Sequence, residues 1–177
     1  VVSNAFRDDR DASPEYLTVG LGWDPARGRW APDIDLNVAA FLFSADSLVD
    51  VVYHEQLNSA DGAVRHHGDS ITGEGRGDNE IISVDLTRLS PAVTTVLFLV
   101  TCYTGQSFAE IRNAYCRVVD QVSSTEIARS ELSGLPSSGL VLGALDRVSG
   151  WRFRPINQGI DARHPVEAAP LLTYYLV

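Results

Sequence analysis

The sequence contains no lysine and no methionine, and only two cysteines in 177 residues. Without lysine, all 14 basic side chains are arginine, and against 23 Asp and Glu they leave a formal net charge of −9. That balance opposes nucleic-acid binding, which needs a face where cations outnumber carboxylates, and it favours cations as ligands. There is no Cys-x-x-Cys pair, which argues against a thiolate zinc site. Cys102 and Cys116 sit in apolar runs and read as buried free thiols of a reducing compartment, the cytoplasm. No apolar run approaches the ~20 residues of a membrane span, and Val1–Arg10 lacks a signal-peptide core. Beginning at Val1 with no methionine, the chain reads as a piece trimmed from a longer product.

What is present suits one domain. Hydrophobic residues make up 45%, enough for an ordinary core, and residues 1–177 read as a single domain with a mobile lead-in over residues 1–15. Short segments rich in Val, Leu, Ile and Phe predict strands at Tyr16–Gly22, Asp35–Phe43, Leu48–Tyr53, Ile81–Leu86 and Val93–Thr101. Ala114–Val119, Glu126–Leu132, Leu140–Val148 and Trp151–Ile156 follow. Val93–Thr101 is almost wholly apolar, as expected of a central strand covered on both faces. Gly, Pro, Ser and Asp punctuate the runs, so the fold class is all-β, a β-sandwich of two antiparallel sheets. One or two short helices accompany it. Ser107 and Glu110 have capping-box spacing for a helix over Phe108–Asn113, and Val166–Leu172 forms another that Pro170 should interrupt.

The most informative stretch is Gly68-Asp69-Ser70-Ile71-Thr72-Gly73-Glu74-Gly75-Arg76-Gly77-Asp78-Asn79-Glu80. Ca²⁺ takes six to eight oxygens at ~2.3–2.6 Å, and one loop supplies them best by mixing side-chain and backbone oxygens. Glycine lets the backbone turn its carbonyls inward. Asp69, Glu74, Asp78 and Glu80 are the candidate carboxylate ligands and Asn79 a neutral oxygen donor; the plainer reading is a solvated acidic turn. A phosphate loop is excluded, because the Lys-Ser/Thr is absent and the negative charge would repel phosphate. In Asp33-Ile34-Asp35-Leu36-Asn37, period two puts Asp33, Asp35 and Asn37 on one strand face and Ile34, Leu36 and Val38 on the other. Asp35 and Asn37 therefore join the candidate ligands, with Asp24 at the end of the first strand; the alternative is a solvent-facing strand.

With these residues assembled, the chain resembles the TerD family, calcium-binding proteins of bacterial tellurite resistance and general stress response. The resemblance runs from about Leu17 to Gly159. It rests on Leu17-Thr18-Val19-Gly20-Leu21-Gly22-Trp23-Asp24, the Asp35–Phe43 strand, Asp61-Gly62 leading into Gly68-Asp69, and the glycine loop. Gln106-Ser107-Phe108, Arg112-Asn113-Ala114, Arg117-Val118-Val119-Asp120 and Trp151-Arg152-Phe153-Arg154 with Gln158-Gly159 complete the order. The resemblance implies a pair of neighbouring calcium ions held by loops at one end of the sandwich, and no enzymatic activity. Ser70, Arg76 and Asn79 depart from the family's loop, where Asn, Asp and Asp are usual. Asn37 stands where the family's strand has Asp, and His54-Glu55-Gln56 replaces Tyr-Asn-Gln. Affinity follows ligand charge, so one ion, or two held more weakly, is expected.

His54, His66 and His67 fall near the same loops, but adjacent His66 and His67 point opposite ways on a strand, which disfavours zinc or hydrolytic chemistry. His164 reads as a surface residue. Trp23, Trp30, Trp151, Phe108 and Phe153 read as packing residues, and Arg112 and Arg117 as partners of Asp120 or Glu110. The function expected is a non-catalytic, calcium-responsive scaffold of a stress-response or tellurite-resistance system. Its expected partners are Ca²⁺ and other proteins of such a complex, with membrane association only through a partner. The competing reading is an interaction module that has lost calcium, favoured by Arg76.

Overall fold

In the first strand, β1 (Tyr16–Gly22), Leu17, Val19 and Leu21 alternate inward and are fully buried. This computed structural model describes residues 13–68, 72–75 and 77–177. Chain order continues with β2 (Leu36–Ser44), β3 (Ser47–Val52), β4 (Val64–His66), β5 (Glu80–Asp85) and β6 (Thr95–Cys102). The remaining strands are β7 (Tyr115–Asp120), β8 (Thr125–Glu131), β9 (Gly139–Arg147) and β10 (Trp151–Ile160), followed by the helix α1 (Pro165–Leu172). The fold is mainly β. One sheet runs β4-β5-β1-β7-β8 and the other β10-β9-β6-β2-β3, with antiparallel pairing throughout.

The sheets close on a core drawn from both, including Leu17, Leu21, Leu36, Val38, Ile82, Phe98, Val100 and Val118. A second cluster lies on the far face of the β6-containing sheet, where Ala39, Phe41, Phe43, Leu97, Leu99 and Val141 meet Ala168 and Leu172 of α1. This explains why β2, β6 and β9 are apolar at nearly every position: one face packs on the other sheet and the opposite face lies under the helix. Burying Phe41 and Phe43 contributes ~1.5–3 kcal/mol each at ordinary transfer values.

Several local expectations are corrected. Pro170 does not end α1, which continues to Leu172 because its apolar face is anchored on the sheet. The helix expected over Phe108–Asn113 is a single 3₁₀ turn, Phe108–Glu110, where the Glu110 carboxylate accepts the Ser107 N–H at 3.0 Å. It stops there because Ile111 is extended and Asn113 takes a φ of 50°. β4 has only three residues, too few to show a period, and β10 runs past Ile156 through an irregularity between Pro155 and Gln158. Most of the expected mobile lead-in lies outside the described residues. Ser13 is pinned, its hydroxyl accepting the Trp151 N–H at 2.7 Å, and the Glu15 carbonyl accepts from Leu86 N. Trp30 is 90% exposed, with the Arg29 guanidinium 6.0 Å from its ring, so it is not a core residue as Trp23 and Trp151 are.

Candidate metal centre

The glycine-rich loop returns to β1 beside Asn79, whose backbone N–H donates to the Leu21 carbonyl at 2.7 Å. The Asn79 side chain organises the turn. Its Oδ1 accepts the Trp23 N–H at 2.9 Å, while Nδ2 faces the carbonyls of Gly73, Glu74 and Gly75 at 3.2, 3.2 and 3.4 Å. Positive φ at Gly73 (75°) and Gly75 (114°) turns those carbonyls inward. Gly73 also lies under the Trp23 indole, and a Cβ there would sit 2.3 Å from its Nε1. That Nε1 donates to the Ile34 carbonyl at 3.0 Å, so Trp23 ties the loop to the entry of β2.

The candidate ligands divide among different places. Asp78 lies over Gly20 on the outer face of the β1-containing sheet, where Arg117 and the Tyr115 hydroxyl donate to its carboxylate. Arg117 therefore pairs with Asp78 and not with Asp120 or Glu110, because Tyr115 and Arg117 point outward from β7 while Cys116 and Val118 point into the core. Asp24 is held by Asn113, whose Nδ2 donates to Oδ2 at 2.7 Å. Glu74 is exposed, and Asp69 lies outside the described residues.

Glu80 begins β5 with its side chain fully buried. Beyond Ala40, β3 no longer pairs with β2, and Glu80 Oε2 takes up the Val38 N–H at 3.2 Å. His66 Nε2 stands 3.3 Å from the same oxygen, while His66 Nδ1 accepts the Gly68 N–H at 3.1 Å. An acceptor role at Nδ1 places the proton of the neutral ring on Nε2, so His66 donates to Glu80. The neighbouring His67 meets the Ser83 hydroxyl at 2.7 Å, facing away from His66 as strand geometry requires.

Asp35 and Asn37 behave as expected in one respect: Ile34, Leu36 and Val38 enter the core and the two polar residues take the opposite face. In another they do not. Asn37 is 1% exposed, not solvent-facing, and Asp33 lies outside β2. Asn37 Nδ2 donates to Asp35 Oδ1 at 3.1 Å, leaving the buried Asn37 Oδ1 without a hydrogen-bond donor among the described residues. Directly opposite on β6, the buried Thr101 hydroxyl also lacks a hydrogen-bond partner among the described residues. Two orphaned buried oxygens beside a carboxylate are donors of the class a hard cation takes, and their burial costs free energy until something fills the gap. Sequence reading missed Thr101 and Tyr115, because only the pairing of β6 with β2 and of β7 with β1 brings them to these residues, whereas Asn113 holds Asp24 as one of the loop-buttressing residues its position suggested.

Comparison with known proteins agrees with this architecture. The TerD domain matches residues 8–164. The chain is 39% identical over 158 residues to tellurium resistance protein TerZ of Serratia marcescens, covering 83% of this chain and 81% of that one. It is 32% identical over 154 residues to general stress protein 16U of Bacillus subtilis, covering 81% and 80%. Among solved structures, a homologue of telluride resistance protein (TerD) from Streptomyces coelicolor A3(2) superposes with a TM-score of 0.79 at 26% identity, covering 88% of this chain and 95% of that one. No helix among the described residues is long and apolar enough to cross a membrane. On sequence and fold together, the chain belongs to the TerD family.

Proposed function

We propose that this chain is a calcium-binding, non-catalytic stress-response or tellurite-resistance protein of the cytoplasm, which uses calcium to set a surface for a protein partner. Its family and the names of its relatives support the biological setting. The observation that carries the metal is the Asn37 Oδ1 buried without a donor beside Asp35, with the Thr101 hydroxyl orphaned opposite. Asp35, just before β2, and Asn37 within it would hold the ion, with Glu80, Asp24, Glu74 and Asp69 as the carboxylates of neighbouring segments. Bound calcium would supply positive charge that neutralises these acids and fixes the surface around them for a partner.

The same geometry favours one ion over two. Asp78 is already neutralised by Arg117, and Asn79 turns an N–H toward three loop carbonyls that would otherwise be free for a cation. These two residues favour a single ion, held on the Asp35–Asn37 side. They also favour the competing reading, a metal-independent interaction module, since they close the loop without any ion. Calorimetric titration with Ca²⁺, paired with thermal melts in EDTA and in millimolar calcium, separates the two. Calcium at 100 times its Kd would stabilise the fold by ~2.7 kcal/mol. A melting temperature indifferent to calcium would remove it from the account.

A further inference from the structure

A second cluster lies away from the glycine loop. His54 and Glu55 occupy the turn after β3, closed by a bridge between Tyr53 and Gln56, and His164 is the N-cap of α1. Packing of α1 against the β2 face brings them together, so that one ligand atom from each lies within 4.8 Å of the others. Each histidine approaches a different carboxylate oxygen: His54 Nε2 is 3.8 Å from Glu55 Oε1 and His164 Nε2 is 3.6 Å from Oε2. Both gaps exceed a hydrogen bond. The two rings stand edge to face at 5.8 Å, and Tyr53 supports both at 5.3 and 5.6 Å while donating its hydroxyl to Glu55 at 3.1 Å. His54 Nδ1 is buried with no hydrogen-bond partner among the described residues. His164 is thus half-buried, not the free surface residue its position suggested.

We infer that His54, Glu55 and His164 form a binding site for a borderline divalent transition metal of the zinc class. Zinc sits ~2.0–2.2 Å from nitrogen and carboxylate ligands, which spaces tetrahedral donors about 3.4 Å apart. The observed gaps need only a small contraction. Two imidazoles and one carboxylate suit Zn²⁺, Ni²⁺ or Cu²⁺, whereas Ca²⁺ takes an all-oxygen shell, so this site is chemically separate from Asp35 and Asn37. Glu55 is 59% exposed, which leaves the fourth position to water.

Binding is coupled to α1. His164 Nδ1 accepts the Val166 N–H at 3.2 Å, so the neutral ring carries its proton on Nε2. Coordination through Nε2 moves that proton to Nδ1 and releases the Val166 N–H to solvent. The metal therefore replaces the helix cap with a bond from the helix start to the turn after β3.

The test is a Zn²⁺ titration of the full chain in saturating calcium, by calorimetry and by competition with a chromogenic chelator. One zinc should bind with micromolar or tighter affinity. His54→Ala, Glu55→Gln and His164→Asn should each weaken it by at least about tenfold. Asn is itself a good N-cap, so His164→Asn removes the imidazole while keeping α1 capped. Co²⁺ substitution should give absorption without thiolate charge transfer. Absence of one-to-one zinc binding by the wild-type chain overturns the site, as does wild-type affinity in the His54→Ala, His164→Asn double variant. Circular dichroism and the calcium response of each variant report its folding independently.

Discussion

Arg117 grips Asp78 through two nitrogens, Nε at 3.0 Å from Oδ1 and Nη2 at 2.9 Å from Oδ2, across the outer face of β1 and β7. Tyr115 completes the arrangement by donating its hydroxyl to Oδ1 at 2.8 Å. Burial and the hydrogen bond to Asp78 push the Tyr115 phenol up to about 12. Asp78→Asn should therefore bring the Tyr115 titration down toward the ordinary tyrosine value, read from phenolate absorbance against a Tyr115→Phe control. An unchanged high titration would show that burial alone raises it.

Asn79 offers the sharpest test of calcium. In Asn79→Asp the retained oxygen still accepts from Trp23, but the other faces the carbonyls of Gly73, Glu74 and Gly75 and repels them. The metal-free variant should lose about 1 kcal/mol, the low end of the cost of an uncompensated polar group, because Asn79 is only half-buried. Calcium should restore it, with a larger rise in melting temperature than in the wild type. Equal calcium responses in the two proteins would contradict the role given to this amide.

Asp61 closes the turn before β4. Its carboxylate accepts from the Ser59 hydroxyl at 2.6 Å and from the N–H groups of Ala63 and Ser90 at 2.9 and 3.0 Å. Partial burial opposes the charge, but these bonds outweigh it and hold the Asp61 pKa below the usual aspartate value. A depressed folded pKa means that the unfolded chain binds the proton first. The stability from Asp61 is thus fully present above about pH 5 and lost as pH falls through the lowered value. Asp61→Asn should destabilise by about 1–2 kcal/mol near neutrality and flatten the acid limb of a urea-midpoint profile.

The two thiols should be inert in the native state. Cys116 is fully buried on the core face of β7, and burial pushes its thiol well above the ordinary range, with the nearby Asp78 charge adding to the effect. Cys102 is also buried, its thiol directed to Gln106 at 3.3 Å. A chromogenic disulfide reagent should titrate neither until denaturant is added, then two per chain. Fast labelling of the folded protein would show that one sheet edge opens.

Much of the fold was legible because a strand's period of two is a local property. Leu17, Val19 and Leu21 announce an inward face on their own, and the unbroken apolar character of β2, β6 and β9 signals burial on both sides. The glycines at 73 and 75 likewise specify a loop able to take positive φ before any partner is known. What a linear pattern does not carry is which segment covers which. The sequence placed Asp78, Asn79, Asp35 and Asn37 in one acidic constellation because they are close in composition and spacing. The tertiary structure separates them, sending Asp78 to Arg117 on one outer face, turning the Asn79 amide onto its own loop, and setting Asn37 against Thr101 on the other sheet. It also joins His54 and Glu55 to His164, more than a hundred residues away. Such meetings depend on strand register and on where α1 docks. Both are fixed by cooperative burial of the whole core and not by any local run of residues.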